Sequence, residues 1–234
     1  MQAKEFLSRH HIAYLPRDVD NDPAAARELA ELGFLTVPVV VLPGQPPIPG
    51  FNARALGAAI GVGDRSTGPN VEAVLNGFDR LLAAILRVAA QLGNAGLILK
   101  MPNRDRTLGE LIHDVFYKAL TWVPEDGGVS RRDAATQKKD AARYPDMASL
   151  LRYGEASRAT LRARFSPGRG DYTRIVETPD GAMSLADAVT WLADHSAHHL
   201  RQIYWLMEHD LGVKPEDPLD LATLPGITLQ EKLW

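Results

Sequence analysis

Residues 184–211, SLADAVTWLADHSAHHLRQIYWLMEHDL, constrain the fold more tightly than any other stretch of the chain. Leu185, Leu192, His199 and Leu206 recur every seven residues, with Val189, Ser196 and Ile203 interleaved. That spacing is the buried seam of one long amphipathic helix packed among others. Ser184, with Asp187 three residues on, predicts the N-terminal cap, and Gly212 predicts the stop. At ~100° per residue, the seam centre lies roughly 30° from His199, roughly 70° from His195 and roughly 130° from His198. His195 and His199 are therefore expected one turn apart on the buried side, with His198 leaning toward solvent. Two imidazoles at i and i+4 can direct ring nitrogens at one point, as in many helical metal sites. The other reading is a pair of core histidines hydrogen-bonded to neighbours, with Ser196 and Gln202 at hand.

The rest of the composition narrows the chemistry. A chain of 234 residues is long enough for one large domain or two small ones. A net charge of −3 argues against a nucleic-acid binder that works through a broad basic surface. No apolar run approaches the ~20 residues of a membrane span, and the start lacks signal-peptide order, so a cytoplasmic protein is the default expectation. The chain has no cysteine. Thiolate catalysis by the protein itself and Cys-ligated zinc are excluded, and any metal must be held by His, Asp or Glu.

Residues 1–62 alternate helix and strand. Helix is predicted over 2–9 and strand over 12–19, then a helix opened by Asp22-Pro23 and closed by Gly33. A β-branched strand over 37–42, a proline-marked turn, a short strand closed by Gly50-Phe51 and a helix from Asn52 to about residue 60 follow. That order, with AKEFLSRHHIAYLPRDVD, TVPVVV and IPGFN, resembles a glutaredoxin. The resemblance implies a cis bond at Val37-Pro38, in a loop that receives the backbone of a thiol substrate. It also implies a first strand and a CxxC or CxxS turn that would precede Met1. As given, the chain cannot perform dithiol chemistry. Its strands over 12–19 and 37–42 are expected to pair directly or with a second copy of the protein.

Residues 63–69 read as a linker, and from Asn70 long helices take over. They are predicted over 71–92, from a Thr107–Glu110 capping box to about 123, over 147–165, and over the histidine-bearing stretch. A polar crossover spans 124–145, and an extended stretch 172–177. The expected fold class is α+β with two domains. A partial thioredoxin-like segment (1–62) is followed by an up-down four-helix bundle (70–234) with a C-terminal tail, and such bundles place metals in their cores.

HSAHHLRQI and DMASLLRYGEASRATL resemble the DinB-like bundles, a superfamily that includes metal-dependent transferases acting on low-molecular-weight thiols. The resemblance covers roughly residues 70–207. It implies three ligands for a divalent ion such as zinc or nickel, two of them at His195 and His199. The third falls on Asp114, where the family usually has histidine, with His113 next to it as the alternative. Helical phase leaves both open, since each lies roughly 130° from the apolar face. Asp114 would make a two-His-one-carboxylate set suited to zinc, iron or manganese, or else an i, i+4 ion pair with Lys118. Leu200 and Arg201 stand where the family often has Arg-Gly. No catalytic residue is assigned, although Arg152, Tyr153, Glu155 and Arg201 are candidates to line the site.

The resemblance implies a metal-dependent transferase using a small thiol, or a hydrolase using metal-activated water. The expected partners are a small-molecule substrate and a second copy of the chain. The contrasting expectation is a non-catalytic interaction or sensing protein with a structural metal site or none.

Overall fold

The computed structural model describes residues 2–34, 37–50, 53–61, 70–102, 104–123, 134–166, 168, 170–179, 181–229 and 233. The chain is mostly helical, with two small two-stranded sheets, an α+β layout. It divides into two compact units, residues 1–67 with 180–182 and residues 68–179 with 183–234. The linker expected over 63–69 lies outside the described residues. No described helix is long and apolar enough to cross a membrane.

The first unit carries α1 (Gln2–Arg9), α2 (Pro23–Glu31), β1 (Val39–Val40), β2 (Ile48–Pro49) and α3 (Ala53–Ala59). Asp22 caps α2 by accepting from the Ala24 backbone N–H, and Pro23 stands in the first turn. A proline costs nothing there, because that amide has no helical partner. Among the described residues, Ala3, Leu7, Ala25 and Leu56 are its buried apolar ones. The Val37–Pro38 peptide is cis. The strand expected over 37–42 shrinks to Val39–Val40, paired antiparallel with Ile48–Pro49. The strand expected over 12–19 does not form. Pro16 cannot donate to a ladder, Leu15 is 80% exposed, and no described strand lies beside the segment. Direct closure of 12–19 against 37–42 is therefore not what the described residues adopt.

The second unit carries α4 (Val71–Leu97), α5 (Leu108–Thr121), α6 (Ala134–Ala141), α7 (Met147–Arg164), β3 (Ile175–Thr178) and α8 (Leu185–His209), while β4 (Gly181–Ser184) begins in the residues grouped with the first unit and ends in the second. Local chemistry fixes the helix starts. Asn70 caps α4, Thr107 and Glu110 form a reciprocal capping box on α5, and Asp146 and Ser149 do the same for α7. Ser184 caps α8 by accepting from the Asp187 N–H. α4 runs past the residue 92 expected as its end, but Gly93 breaks its path at φ 58°, ψ −160°, backbone that only glycine enters readily. β4 had no signal in the sequence.

α4 packs against α5, α7 and α8, and α5 against α7 and α8. Their shared core includes Leu82, Ile85, Leu111, Ile112, Phe116, Leu192 and Ile203, all essentially closed to water. Burial on that scale is what holds long helices together in water. The polar positions of α5 and α8 that face this core are the ones that matter for chemistry.

Candidate metal centre

α8 is buried on more than the single stripe its heptad seam defines. Ala186, Ala197, His198 and Leu200 are closed to water along with the seam residues. His195 and His199 lie one turn apart, and α5 brings Asp114 to them. His195 Nε2 and His199 Nε2 are 3.1 Å apart, and Asp114 Oδ2 is 3.7 Å from each. Asp114 is 1% exposed and the two histidine side chains 14% and 8%. The three make a group able to hold a metal ion.

The hydrogen-bond network assigns the tautomers. Gln202 donates from Nε2 to the Leu233 carbonyl at 2.6 Å, which fixes its amide and leaves Oε1 as an acceptor. His199 Nδ1, 2.7 Å from that oxygen, therefore carries the proton, and its Nε2 presents a lone pair. Lys118 Nζ, which can only donate, is 3.2 Å from His195 Nε2, so that nitrogen presents a lone pair too. Two imidazole nitrogens and a carboxylate oxygen thus lie within 3.7 Å of one another. The point equidistant from the three atoms is about 2.0 Å from each, within the ~2.0–2.2 Å at which zinc binds imidazole nitrogen and carboxylate oxygen. The donor set suits a divalent ion and leaves a fourth position open.

Asp114 also holds protein cations. Its Oδ2 is 3.2 Å from Lys118 Nζ and 3.4 Å from Arg106 Nη1, and Gln137 on α6 donates to Oδ1. Burial by itself would push the Asp114 carboxyl up. The contact with His199 and the charge of Lys118 outweigh it and hold the group below the ordinary carboxylate range. Burial drives both imidazoles the other way. His195 falls well below its ordinary value through burial and the nearby His199 and Lys118, and His199 falls through burial against the pull of Asp114. Both rings are neutral at pH 7, the form that binds a metal without first losing a proton.

His198 does not lean toward solvent as its phase predicts. It is 9% exposed, its Nε2 is 3.1 Å from Gln202 Nε2, and burial lowers it to about 4. The tail residue Leu233 reaches Gln202 on that flank, and this contact lies outside any single-helix periodicity. His113 is buried on another flank of α5. Its Nε2 is 3.1 Å from Asp140, and its ring lies among Tyr117, Tyr144 and Tyr153. Of the two candidates on α5, Asp114 is the one brought to His195 and His199. Tyr153 belongs with the His113 cluster. The sequence reading did not single out Arg106, Gln137 or Trp191. The Trp191 ring stacks on His195 (centroids 5.1 Å apart) and on Trp122 (3.8 Å), walling the imidazole. Its i, i+4 spacing from His195 was a usable signal, whereas nothing in the spacing marked Arg106.

A helical core that brings a carboxylate oxygen and two imidazole nitrogens within 3.7 Å of one another defines a protein able to hold a metal between its helices. Residues 114–203 match the family model of the DinB superfamily, and residues 1–46 match that of glutaredoxin. Each match covers less than half of the chain and shows a likeness of that region to the family. No curated protein matches the chain.

The histidine environments carry a consequence for pH. His113, His195, His198 and His199 are all depressed in the folded protein, chiefly by burial. As pH falls through ~6.5, the unfolded chain takes up protons that the folded one refuses, so stability declines with falling pH. The decline continues to about 4, where His198 itself protonates. Asp194 opposes it with one group, since burial pushes its carboxyl up to about 7. Each uncompensated proton is worth about 1.4 kcal/mol per pH unit. Urea midpoints of metal-free protein should therefore drop between pH 7 and pH 5; a flat profile would show that the imidazoles are not held neutral.

Proposed function

We propose that the chain is a metal-dependent enzyme built on a DinB-like four-helix bundle. In this reading Asp114, His195 and His199 hold a divalent ion, and the chemistry is transfer or hydrolysis on a small molecule. The observation that supports it is two imidazole nitrogens and a carboxylate oxygen within 3.7 Å of one another, with the Gln202 amide enforcing the tautomer of His199. An ion bound there supplies Lewis acidity to the oxygen or sulfur of a ligand in the fourth position. The protein's own groups do the rest. Trp191 shields His195 from water, Gln202 keeps His199 from rotating, and Lys118 can give up its contact with His195 and still neutralise an incoming anion beside Asp114. The chain has no cysteine, so a sulfur nucleophile must arrive on a low-molecular-weight thiol. The cis Val37–Pro38 loop is the proposed place for such a thiol's backbone, in the manner of a glutaredoxin. Zinc, iron or manganese suits the mixed donor set, and nickel is the further candidate.

A second reading rests on a specific contact. Lys118 and Arg106 already neutralise Asp114, so the cluster could be a structural polar network in a non-catalytic interaction or sensing protein. Elemental analysis of protein purified without a nickel column separates the two. The enzyme reading expects about one ion per chain, lost in His199→Ala while the fold persists. Protein that neither carries metal nor takes up added zinc, cobalt or manganese would favour the structural network. We further propose a homodimer, which light scattering coupled to size exclusion tests directly.

A further inference from the structure

Arg106 is positioned to do more than neutralise Asp114. Its Nη1 faces Asp114 Oδ2, while its Nε and Nη2 are closed to water and have no hydrogen-bond partner among the described residues. Donors left in that state are costly, and a guanidinium keeps its proton in any case. The molecule shows elsewhere what that edge takes. Arg158 donates from Nε and Nη2 to the two oxygens of Asp79 at 2.8 and 2.9 Å, and Arg162 donates to the same pair at 2.7 and 2.7 Å. The Nε/Nη2 edge is the flat fork that matches a carboxylate with two parallel hydrogen bonds.

Among the described residues, no carboxylate fills that role at Arg106. The acidic groups that bear on it are Asp114 and Glu110. Asp114 is engaged by Lys118 and Gln137, and Glu110 accepts from the Thr107 N–H in the capping box. Two cations, Lys118 and Arg106, face the one carboxylate of Asp114, which leaves positive charge in excess at that cluster. A divalent ion at Asp114 would add to that excess. Such a field favours an anionic ligand.

We propose that the Nε/Nη2 edge of Arg106 is the carboxylate-binding group of the centre. Building on the metal reading above, the ligand is then a small acid that presents one atom to the ion and, across a short spacer, a carboxylate to Arg106. A mercapto acid has this form. The edge is closed to water, so binding includes displacement of whatever covers it.

The test compares two thiols that differ in the carboxylate, 3-mercaptopropionate and 2-mercaptoethanol, on the cobalt-loaded full chain under anaerobic conditions. Binding is read from the sulfur-to-cobalt absorption band. The wild-type protein should favour the mercapto acid by about 10-fold or more, the scale of a charge-assisted forked pair. Arg106→Gln should bring the ratio within about 2-fold of unity, and Arg106→Lys should recover only part of it, since an ammonium has no fork. The ratio is taken within each variant, so a change in cobalt occupancy cancels. Equal affinities in the wild type, or an undiminished preference in Arg106→Gln, would overturn the proposal. A metal-free arm separates its failure from that of the metal reading. If cobalt does not bind at all, saturable propionate binding that Arg106→Gln abolishes still supports the carboxylate site, and its absence sinks it. Inorganic phosphate that displaces propionate with equal affinity would mark a general anion site and overturn the carboxylate assignment.

Discussion

Asp114→Ala will lower the stability of the metal-free protein by about 3–5 kcal/mol, the range seen when one member of a buried charge network is removed. The reason lies in what the carboxylate holds. Asp114 is 1% exposed, and Lys118, Arg106 and Gln137 all direct donors at it. Deleting it leaves Arg106 without its acceptor and Lys118 with only the His195 ring nitrogen, beside imidazoles that burial keeps neutral. Neither cation escapes fully to water, since their side chains are 32% and 21% exposed. Asp114→Asn keeps an acceptor for Gln137 and loses only the charge, so it should fall between wild type and alanine. The contribution has a pH signature. The folded carboxyl titrates below its ordinary 3.8, so its stabilisation is complete above that value and is lost as pH falls through the lower folded one. Urea denaturation at pH 7 in the presence of chelator, followed by circular dichroism, measures the difference as a shift in midpoint at constant m-value. A change under about 1 kcal/mol would mean that Lys118 and Arg106 do not depend on Asp114. In that case the structural-network reading loses its support, and the three-ligand set stands alone as the reason for a buried carboxylate there.

The legible parts of the fold are those written in local chemistry. Thr107 with Glu110, Asp146, Asn70 and Ser184 announce helix starts because a cap is satisfied within three residues of itself. The leucines of α8 reveal its seam because one face of a helix repeats on a fixed period. From that phase, His195 and His199 face the core. The phase misplaces His198, because Leu233 reaches Gln202 from 31 residues away and extends the buried arc. Arg106 was invisible for a related reason. It precedes α5 and reaches Asp114 eight residues on, with its backbone set by the Met101–Arg106 and Lys100–Thr107 pairing that folds the chain back. Residues 12–19 failed in the opposite direction. A strand exists only through a partner, and none of the described segments supplies one.

Phe116→Ala will cost a similar amount, about 3–5 kcal/mol, for a reason unrelated to charge. Phe116 is fully buried between α4, α5 and α7. Its place depends on Gly154, the point of close approach on α7. A Cβ added there would stand 3.1 and 3.2 Å from Phe116 Cε2 and Cζ, and 2.5 Å from Leu86 Cδ2. The ring thus lies against bare backbone, and α7 has no side chain at that position to swing into the space a truncation leaves. Cavities that cannot collapse give the larger losses in such series. Leu86 is the neighbour able to move, so the loss should be greater in Phe116→Ala combined with Leu86→Ala than in either alone. Two positions along a helix turn the side chain by ~200°, so Phe116 and Asp114 sit on opposite flanks of α5. The variant should therefore keep its metal-binding residues in register. Cobalt affinity within about 2-fold of wild type, measured well below the variant's melting temperature, alongside the full loss of stability, would show that packing at Gly154 and the polar cluster are separable. Cobalt binding lost together with stability would instead show that the ring, through α5, holds Asp114 where the two histidines can share its ligand.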